Sequence, residues 1–236
     1  MRVGTLVILA TAQFLTGCGT QVAWNPQDEI RSIPVGKAEM VRTVVEMKAG
    51  QLEIRGGVKS LLEARFEYSD PRWRPEVRYE EKGLRGNLAV SQGSIAFDIG
   101  RPSGARYDWD LVLNQSVPMD LVVGLGAGQS LLDLRGMNLR GLEVRLGAGQ
   151  TELDLSGKWR QGFDARIRGG VGQVTVRLPR QVGVQAAAQG GIGEIRAPEF
   201  HHSGNRYTND AAQDSPAPIR LDIRGGIGQI VLNLAD

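Results

Sequence analysis

Several chemistries are excluded by what this 236-residue sequence lacks. It contains one cysteine and two histidines, so a disulfide framework and a zinc site built from Cys or His ligands are close to excluded. Its 28 basic and 26 acidic side chains give a formal net charge of +2, without the basic excess of an electrostatic nucleic-acid binder. No nucleic-acid partner is therefore expected.

The N-terminus carries the pattern of an export signal. Arg2 precedes 13 uncharged, mostly apolar residues (3–15), too few to span a bilayer, and Leu15-Thr16-Gly17-Cys18 follows. This end resembles the lipobox of bacterial lipoproteins, which implies cleavage after residue 17 and acylation of Cys18. The alternative is a buried cysteine near a signal. The resemblance implies a protein held on the cell membrane by its N-terminal lipid, facing the periplasm or exterior. If the organism has an outer membrane, it is the expected location, since Gly19 is not Asp.

Glycine is unusually abundant, with 32 residues, and many of the glycines recur at regular spacings along the sequence. A Gly-x-Gly-Gln/Glu unit followed by a short apolar-alternating segment appears five times, at spacings of 21, 23, 21 and 35 residues. An outlying copy begins at Ala49. The five units start at Gly126, Gly147, Gly170, Gly191 and Gly226.

Each unit predicts a strand, a glycine turn and a second strand. Before the turn at Gly147, Leu142, Val144 and Leu146 alternate with charged residues, which is typical of a strand with one buried face. Such units must stack to bury that face. We therefore predict an all-β fold, a β-solenoid-like stack over 106–236 with an irregular β N-terminal cap over 41–105. The signal peptide would cover 1–17, and the lipidated cysteine and a tether 18–40.

The turn glycines are better explained by the backbone geometry of a tight turn than by a role in binding a cofactor. Both turn positions are expected to need positive φ or to lack room for a Cβ. The copies lack the third glycine and helix of a dinucleotide site, and the Gly-Lys-Ser/Thr of a phosphate loop. Val174 and Ile230 occupy the ligand position of calcium nonapeptides, so no metal or cofactor is predicted. The Gln/Glu after each turn would form either a hydrogen-bonded ladder or a ligand-binding row.

Several segments together resemble the toast-rack family of bacterial envelope proteins. They are 45–54, 62–68, 73–77 and Trp109-Asp110-Leu111 running into the glycine units. The family is similar to adhesin-type β-solenoid domains and to the C-terminal domain of an envelope-stress repressor. The resemblance implies a stacked β architecture in the cell envelope, with an adhesin or stress-related role, and supplies no catalytic residue.

Two surfaces are candidates for binding a partner. The register aligns Arg145, Arg168 and Arg224 in one outward column, which is either a solvated mixed-charge face or a site for an anionic glycan, lipid headgroup or acidic partner. The second is the insertion 198–218, a loop that is either functional or disordered. Its candidate residues are Phe200, His201, His202 and Tyr207.

The sequence favours an interaction module over an enzyme. His201 and His202 are interpreted as a surface pair, with a weak metal site with Glu199 or Asp210 as the alternative. We expect a lipid-anchored structural or interaction module of the cell envelope that binds a protein or an anionic glycan or lipid. The alternative is a solenoid-type carbohydrate-active or other hydrolytic enzyme, which would need two carboxylates in a concave groove flanked by aromatics.

Overall fold

The computed structural model describes residues 27–93 and 106–236, and within them it is a β-solenoid-like stack. Cys18 and the signal peptide lie outside the described residues. Within these two segments no helix has the length and apolar character needed to cross a membrane. The strands are β1 Gln27–Ile33, β2 Met40–Val58, β3 Leu62–Tyr68, β4 Pro75–Lys82, β5 Arg85–Gln92, β6 Tyr107–Asn114, β7 Met119–Asp133, β8 Leu139–Asp154, β9 Asp164–Arg168, β10 Val171–Pro179, β11 Val184–Gln189, β12 Ile192–Arg196, β13 His201–Ser203, β14 Arg206–Thr208, β15 Ile219–Arg224 and β16 Ile227–Ala235.

Each repeat folds as one coil that bends at its glycines. Leu125 and Ser130 of β7 both face the core although they are five residues apart, so the period of two changes phase at Gly126–Gly128. The halves before the bend form a first wall, ordered β4-β5-β2-β7-β8-β9-β15-β11-β14-β13. The halves after it form a second wall, ordered β1-β3-β6-β2-β7-β8-β10-β16-β12. One apolar core lies between the walls.

The bend is tight because the backbones of successive coils touch there. A Cβ on Gly147 would lie 2.0 Å from the carbonyl oxygen of Gly126 in the preceding coil. Gly149 has φ +137°, and its Cβ would lie 1.8 Å from the Gly128 oxygen. The first glycine of each pair is thus required by close approach and the second also by conformation.

The order of the coils in space differs from their order in the sequence. β16 pairs in parallel with β10 on one side and β12 on the other, and β15 lies likewise between β9 and β11. The C-terminal coil is therefore inserted between the copies of the repeat that begin at Gly170 and Gly191. The insertion 198–218 makes this possible, because it leads the chain from the end of the stack back to an inner position.

Two predicted boundaries differ from the structure at the N-terminal side. β1 lies inside the predicted tether 18–40 and pairs antiparallel with β3. Its residues do not alternate, because it is an edge strand held by backbone bonds and by ion pairs such as Asp28–Arg65 (2.8 Å). All but the first residue of β2 lies in the predicted cap 41–105, yet β2 is a full coil whose Gly50 is in register with Gly128.

Candidate functional site

The arginine column exists and crosses the outer face of the first wall. Arg145 is registered with Arg168, and Arg168 with Arg224, while Gly124 and Gln189 lie at its two ends. The parallel pairing of β8, β9 and β15 places these side chains on neighbouring strands at the same height. The sequence register therefore predicted this row correctly, although two of its strands are 50 or more residues apart in the chain.

Each arginine of the column is paired with a carboxylate. Arg145 contacts Glu46 at 3.2 Å, Arg168 contacts Asp222 at 2.9 Å, and Arg224 contacts the same Asp222 at 3.4 Å. The Arg168 guanidinium is the main cause of the lowered pKa of Asp222. These side chains are 38–61% exposed, so each pair contributes little to stability. The column is a mixed-charge surface without an arginine held free for an anion.

The insertion is built as a hairpin on the end of the first wall. β14 pairs antiparallel with β11, and β13 pairs antiparallel with β14. Asn209 is 2% exposed and ties the hairpin to the stack: its Oδ1 accepts the Val184 amide at 2.9 Å, and its Nδ2 donates to the Val182 carbonyl at 2.8 Å. The loop expected over 198–218 thus contains two strands and a short 3-10 helix, Asp210–Ala212.

The four candidate residues of the insertion have different roles. Phe200 is 7% exposed and belongs to the core. His201 contacts Asp210 at 2.6 Å between two exposed side chains, while Glu199 is paired with Arg180 at 2.6 Å. His202 stacks on Tyr207 with ring centroids 6.0 Å apart. The two histidines are not brought to one site, and the described part of the chain holds no group of three potential metal ligands.

The row of glutamines follows the bend along the outside of the second wall. Gln51, Gln129, Gln150, Gln173 and Gln229 are in register, and Glu194 completes the row. Gln229 donates to Glu194 at 3.4 Å, but Gln173 bonds to Thr175 of its own strand at 3.2 Å. The register is as predicted, whereas Gln173 does not bond along the row.

Sequence reasoning missed a groove in the outer face of the second wall. It has a volume of about 500 Å³, and its carboxylates come from β2, β3, β6 and β8. Burial raises the pKa of Asp108 above its usual 3.8, with Glu67 adding to the shift. Arginines neutralise other members: Arg55 contacts Asp110 at 2.8 Å and Arg65 contacts Glu67 at 3.0 Å. The groove needs strands that are 50 to 100 residues apart, so no local pattern could indicate it.

The groove lacks the aromatic platform that a sugar-cleaving site would need. Trp109 is the aromatic residue among its lining, and it is 2% exposed because its ring packs inward against Phe66 at a centroid distance of 5.5 Å. The groove is therefore a polar trough with paired charges.

Comparison with known proteins gives a family and one close structural neighbour. The family model for the N-terminal domain of toast_rack, DUF2154, matches residues 23–177. The chain is similar to the crystal structure of a "putative cell adhesion protein" from Clostridium sporogenes ATCC 15579, with 31% identity and a TM-score of 0.85, covering 89% of this chain and 100% of that one. No curated protein matches it.

A second solved structure, a "putative adhesin" from Bacteroides fragilis NCTC 9343, is 9% identical with a TM-score of 0.32. The match covers 88% of this chain and 97% of that one. A TM-score this low carries no structural argument.

Proposed function

Because the chain belongs to the toast-rack family, we propose that it is a lipid-anchored interaction module of the bacterial cell envelope that binds a partner protein. The observation that carries this proposal is the 0.85 TM-score match over 89% of the chain to a protein named for cell adhesion. The lipobox-like sequence ending at Cys18 supports a membrane location, with the domain facing the periplasm or the exterior.

The topology supports different roles for the two ends of the stack, with membrane attachment at one end and partner binding at the other. β1, the strand that follows the N-terminal segment, lies at one end of the second wall, and β12 lies at the other. The eight spacings of about 4.8 Å between the nine strands of this wall separate β1 from β12 by about 38 Å. An acyl chain on Cys18 would thus hold the β1 end towards the membrane, while the β13–β14 hairpin would project from the opposite end.

A protein partner fits the surface better than an anionic glycan or lipid. The arginines of the column are paired with Glu46 and Asp222, so an anion would have to displace a carboxylate from each. The hairpin, in contrast, exposes His201 and His202 beside the partly buried Tyr207, and aromatic rings of this kind are common in protein interfaces.

The lipid anchor is tested by Cys18→Ser. We expect the variant to leave the membrane fraction and appear in the soluble fraction, because acyl chains supply the membrane affinity at about 0.8 kcal/mol per buried CH₂ group. The matched control is Thr16→Ser, which changes a neighbouring residue but keeps the cysteine, and it should stay membrane-bound. A Cys18→Ser protein that remains in the membrane fraction with its signal removed would contradict the anchor.

A hydrolytic function is the second candidate, and one observation favours it. A carboxyl group with a raised pKa, such as that of Asp108, is a property of general acids. The other carboxylates that line the groove are paired with arginines, so no second unpaired carboxylate lies beside Asp108 among these lining residues. This candidate is tested by measuring the release of reducing sugar from envelope polysaccharides. Activity of the native protein that is abolished in Asp108→Asn would show that the protein is an enzyme and not only an interaction module.

A further inference from the structure

The two walls have unequal lengths at the C-terminal end of the stack. The coil made of β11 and β12 is the last to contribute to both walls. The first wall continues beyond it with β14 and β13, whereas no described strand follows β12 in the second wall. The β13–β14 hairpin therefore extends two strands past the end of the second wall, over a space that residues 197–200, with the buried Phe200, cross on their way from β12 to β13.

The outer edge of β12 offers backbone groups to that space. The Ile192 amide donates to the Gly226 carbonyl at 2.9 Å, so it points towards β16. The carbonyl of Gly228, which is registered with Gly193, also points at β12, where the parallel pattern places the Glu194 amide. Amides therefore alternate from Ile192 onwards, so that of Arg196 also points towards β16 and those of Gly193 and Ile195 point away from it. Within the described residues, β12 has β16 as its single strand partner.

The edge combines protective and open features. β12 is only five residues long and carries the charged Glu194 and Arg196, but it has no proline or lysine and is registered with β16 over its whole length without a bulge. Ile192 is 73% exposed at its start. By comparison, the outer strand of the first wall at the other end, β4, carries Glu80, Glu81 and Lys82.

The overhanging hairpin places two ring side chains, Tyr207 and His202, on the side of the first wall that faces the open edge. Tyr207 is registered with Ala186, which is 3% exposed and faces the core, so Tyr207 is on the same inner face. His202 is registered with Tyr207 and stacks on it, although it lies beyond the last coil. A strand added to β12 would place its inward side chains beneath these two rings.

We propose that β12 is a peptide-docking edge, where an extended segment of the partner protein adds as a further strand of the second wall. This rests on the proposed interaction function and names the class of partner. Glu194 and Arg196 lie on the outer face of β12, flanking the inward Ile195, and they pair with each other at 2.9 Å. In an antiparallel register, a partner with an acidic–apolar–basic triplet adds to this pair without breaking it, because its acidic residue lies opposite Arg196 and its basic residue opposite Glu194.

A second copy of this chain does not fit the same space. Two β12 strands paired antiparallel would be related by a twofold axis perpendicular to the sheet, which keeps both first walls on one side. The β13–β14 hairpin of each copy would then overlap with the first-wall strands of the other copy, and the two would clash. An isolated extended segment brings no such wall.

Hydrogen exchange on the full-length protein in detergent tests the edge directly. In the free protein we expect the Gly193 and Ile195 amides to exchange faster than those of Glu194 and Arg196. The probe is the synthetic peptide Thr-Val-Thr-Glu-Ile-Arg-Thr-Val-Thr, which should slow exchange at Gly193 and Ile195 by about 10-fold or more at saturation. A peptide with arginine in place of its glutamate places a like charge opposite Arg196 and should bind more weakly.

Substitutions at one position separate the backbone bond from side-chain packing. Ile195→Pro removes the outward amide and should weaken peptide binding by about 10-fold, whereas Ile195→Ala keeps it and should weaken binding by less than about 3-fold. Equal losses in the two variants, or Gly193 and Ile195 amides already protected in the free protein, would overturn the docking edge. Sedimentation as a dimer that Ile195→Pro abolishes would instead assign the edge to self-association. None of these outcomes bears on the membrane fractionation of Cys18→Ser.

Discussion

At the N-terminal end of the stack, β1, β3 and β6 close the second wall over a cluster of aromatic rings. The ring centroid of Tyr107 lies 5.7 Å from that of Trp109 and 6.1 Å from that of Trp73, and Phe66 completes the cluster. At the C-terminal end, a hairpin of two three-residue strands extends one wall, and Phe200 is its buried ring. The first end is built for stability and the second leaves a strand edge and aromatic side chains accessible.

The largest effect should come from opening the aromatic end. Trp109→Ala removes a side chain that is 2% exposed and packs on Phe66 and Tyr107, so we expect a loss of about 3–5 kcal/mol in unfolding free energy. Tyr207→Ala at the other end should cost less than half as much, since Tyr207 is only partly buried. Urea denaturation of both variants checks this, and equal losses would remove the contrast between the ends.

The contrast also requires a rigid middle, which the glycine bend provides. Gly149→Ala adds both a backbone clash and an unfavourable φ, so it should destabilise the protein by about 2–4 kcal/mol. Gly147→Ala adds the clash alone and should cost less. Gly136 has φ +67° with nothing within 4 Å of its Cβ position, so Gly136→Ala isolates the conformational cost at about 1 kcal/mol.

Thermal or urea unfolding of the three glycine variants gives the order directly. A Gly149→Ala protein as stable as Gly136→Ala would show that neighbouring coils do not touch at the bend. The ends would then be joined by a more flexible middle than the structure indicates.

A smaller effect distinguishes the ends by pH. Hydrogen bonding from Arg74, with further help from Tyr68 and Arg31, lowers the pKa of Glu29 in β1 from 4.5 to about 2. A lowered pKa stabilises the folded state above the unfolded value, and this contribution is lost as pH falls from about 4.5 towards 2. The protection of β1 amides relative to their intrinsic exchange rate at each pH should therefore fall in that window, and Glu29→Gln should flatten the dependence. An unchanged pH profile in Glu29→Gln would remove this role of the carboxylate.

Much of this fold could be predicted from residues that repeat. The alternation of Leu142, Val144 and Leu146 and the glycine spacing predicted coils, register and the arginine column. The exchange of the last two coils could not be predicted, because every copy carries the same bend and fits against any other. β1 was missed because an edge strand held by ion pairs needs no apolar alternation.

The candidate site was less predictable than the fold. Tyr207 and His202 were identified as candidate residues, but their place in an overhang depends on where the second wall ends at β12. The edge of β12 is open because no described strand pairs on that side. A local sequence pattern can predict that a segment is a strand but not which strands lie beside it, so nothing in the sequence around Gly193 and Ile195 indicated an open edge.

Partner binding at the C-terminal end of the stack is tested most directly by photo-crosslinking in living cells. A photoreactive side chain at Arg206 of β14 is compared with one at Arg78 of β4, which is also exposed but lies at the opposite end of the first wall. We expect a discrete crosslinked protein from position 206 and none from position 78. The same adduct from position 78, with none from position 206, would contradict binding at the C-terminal end.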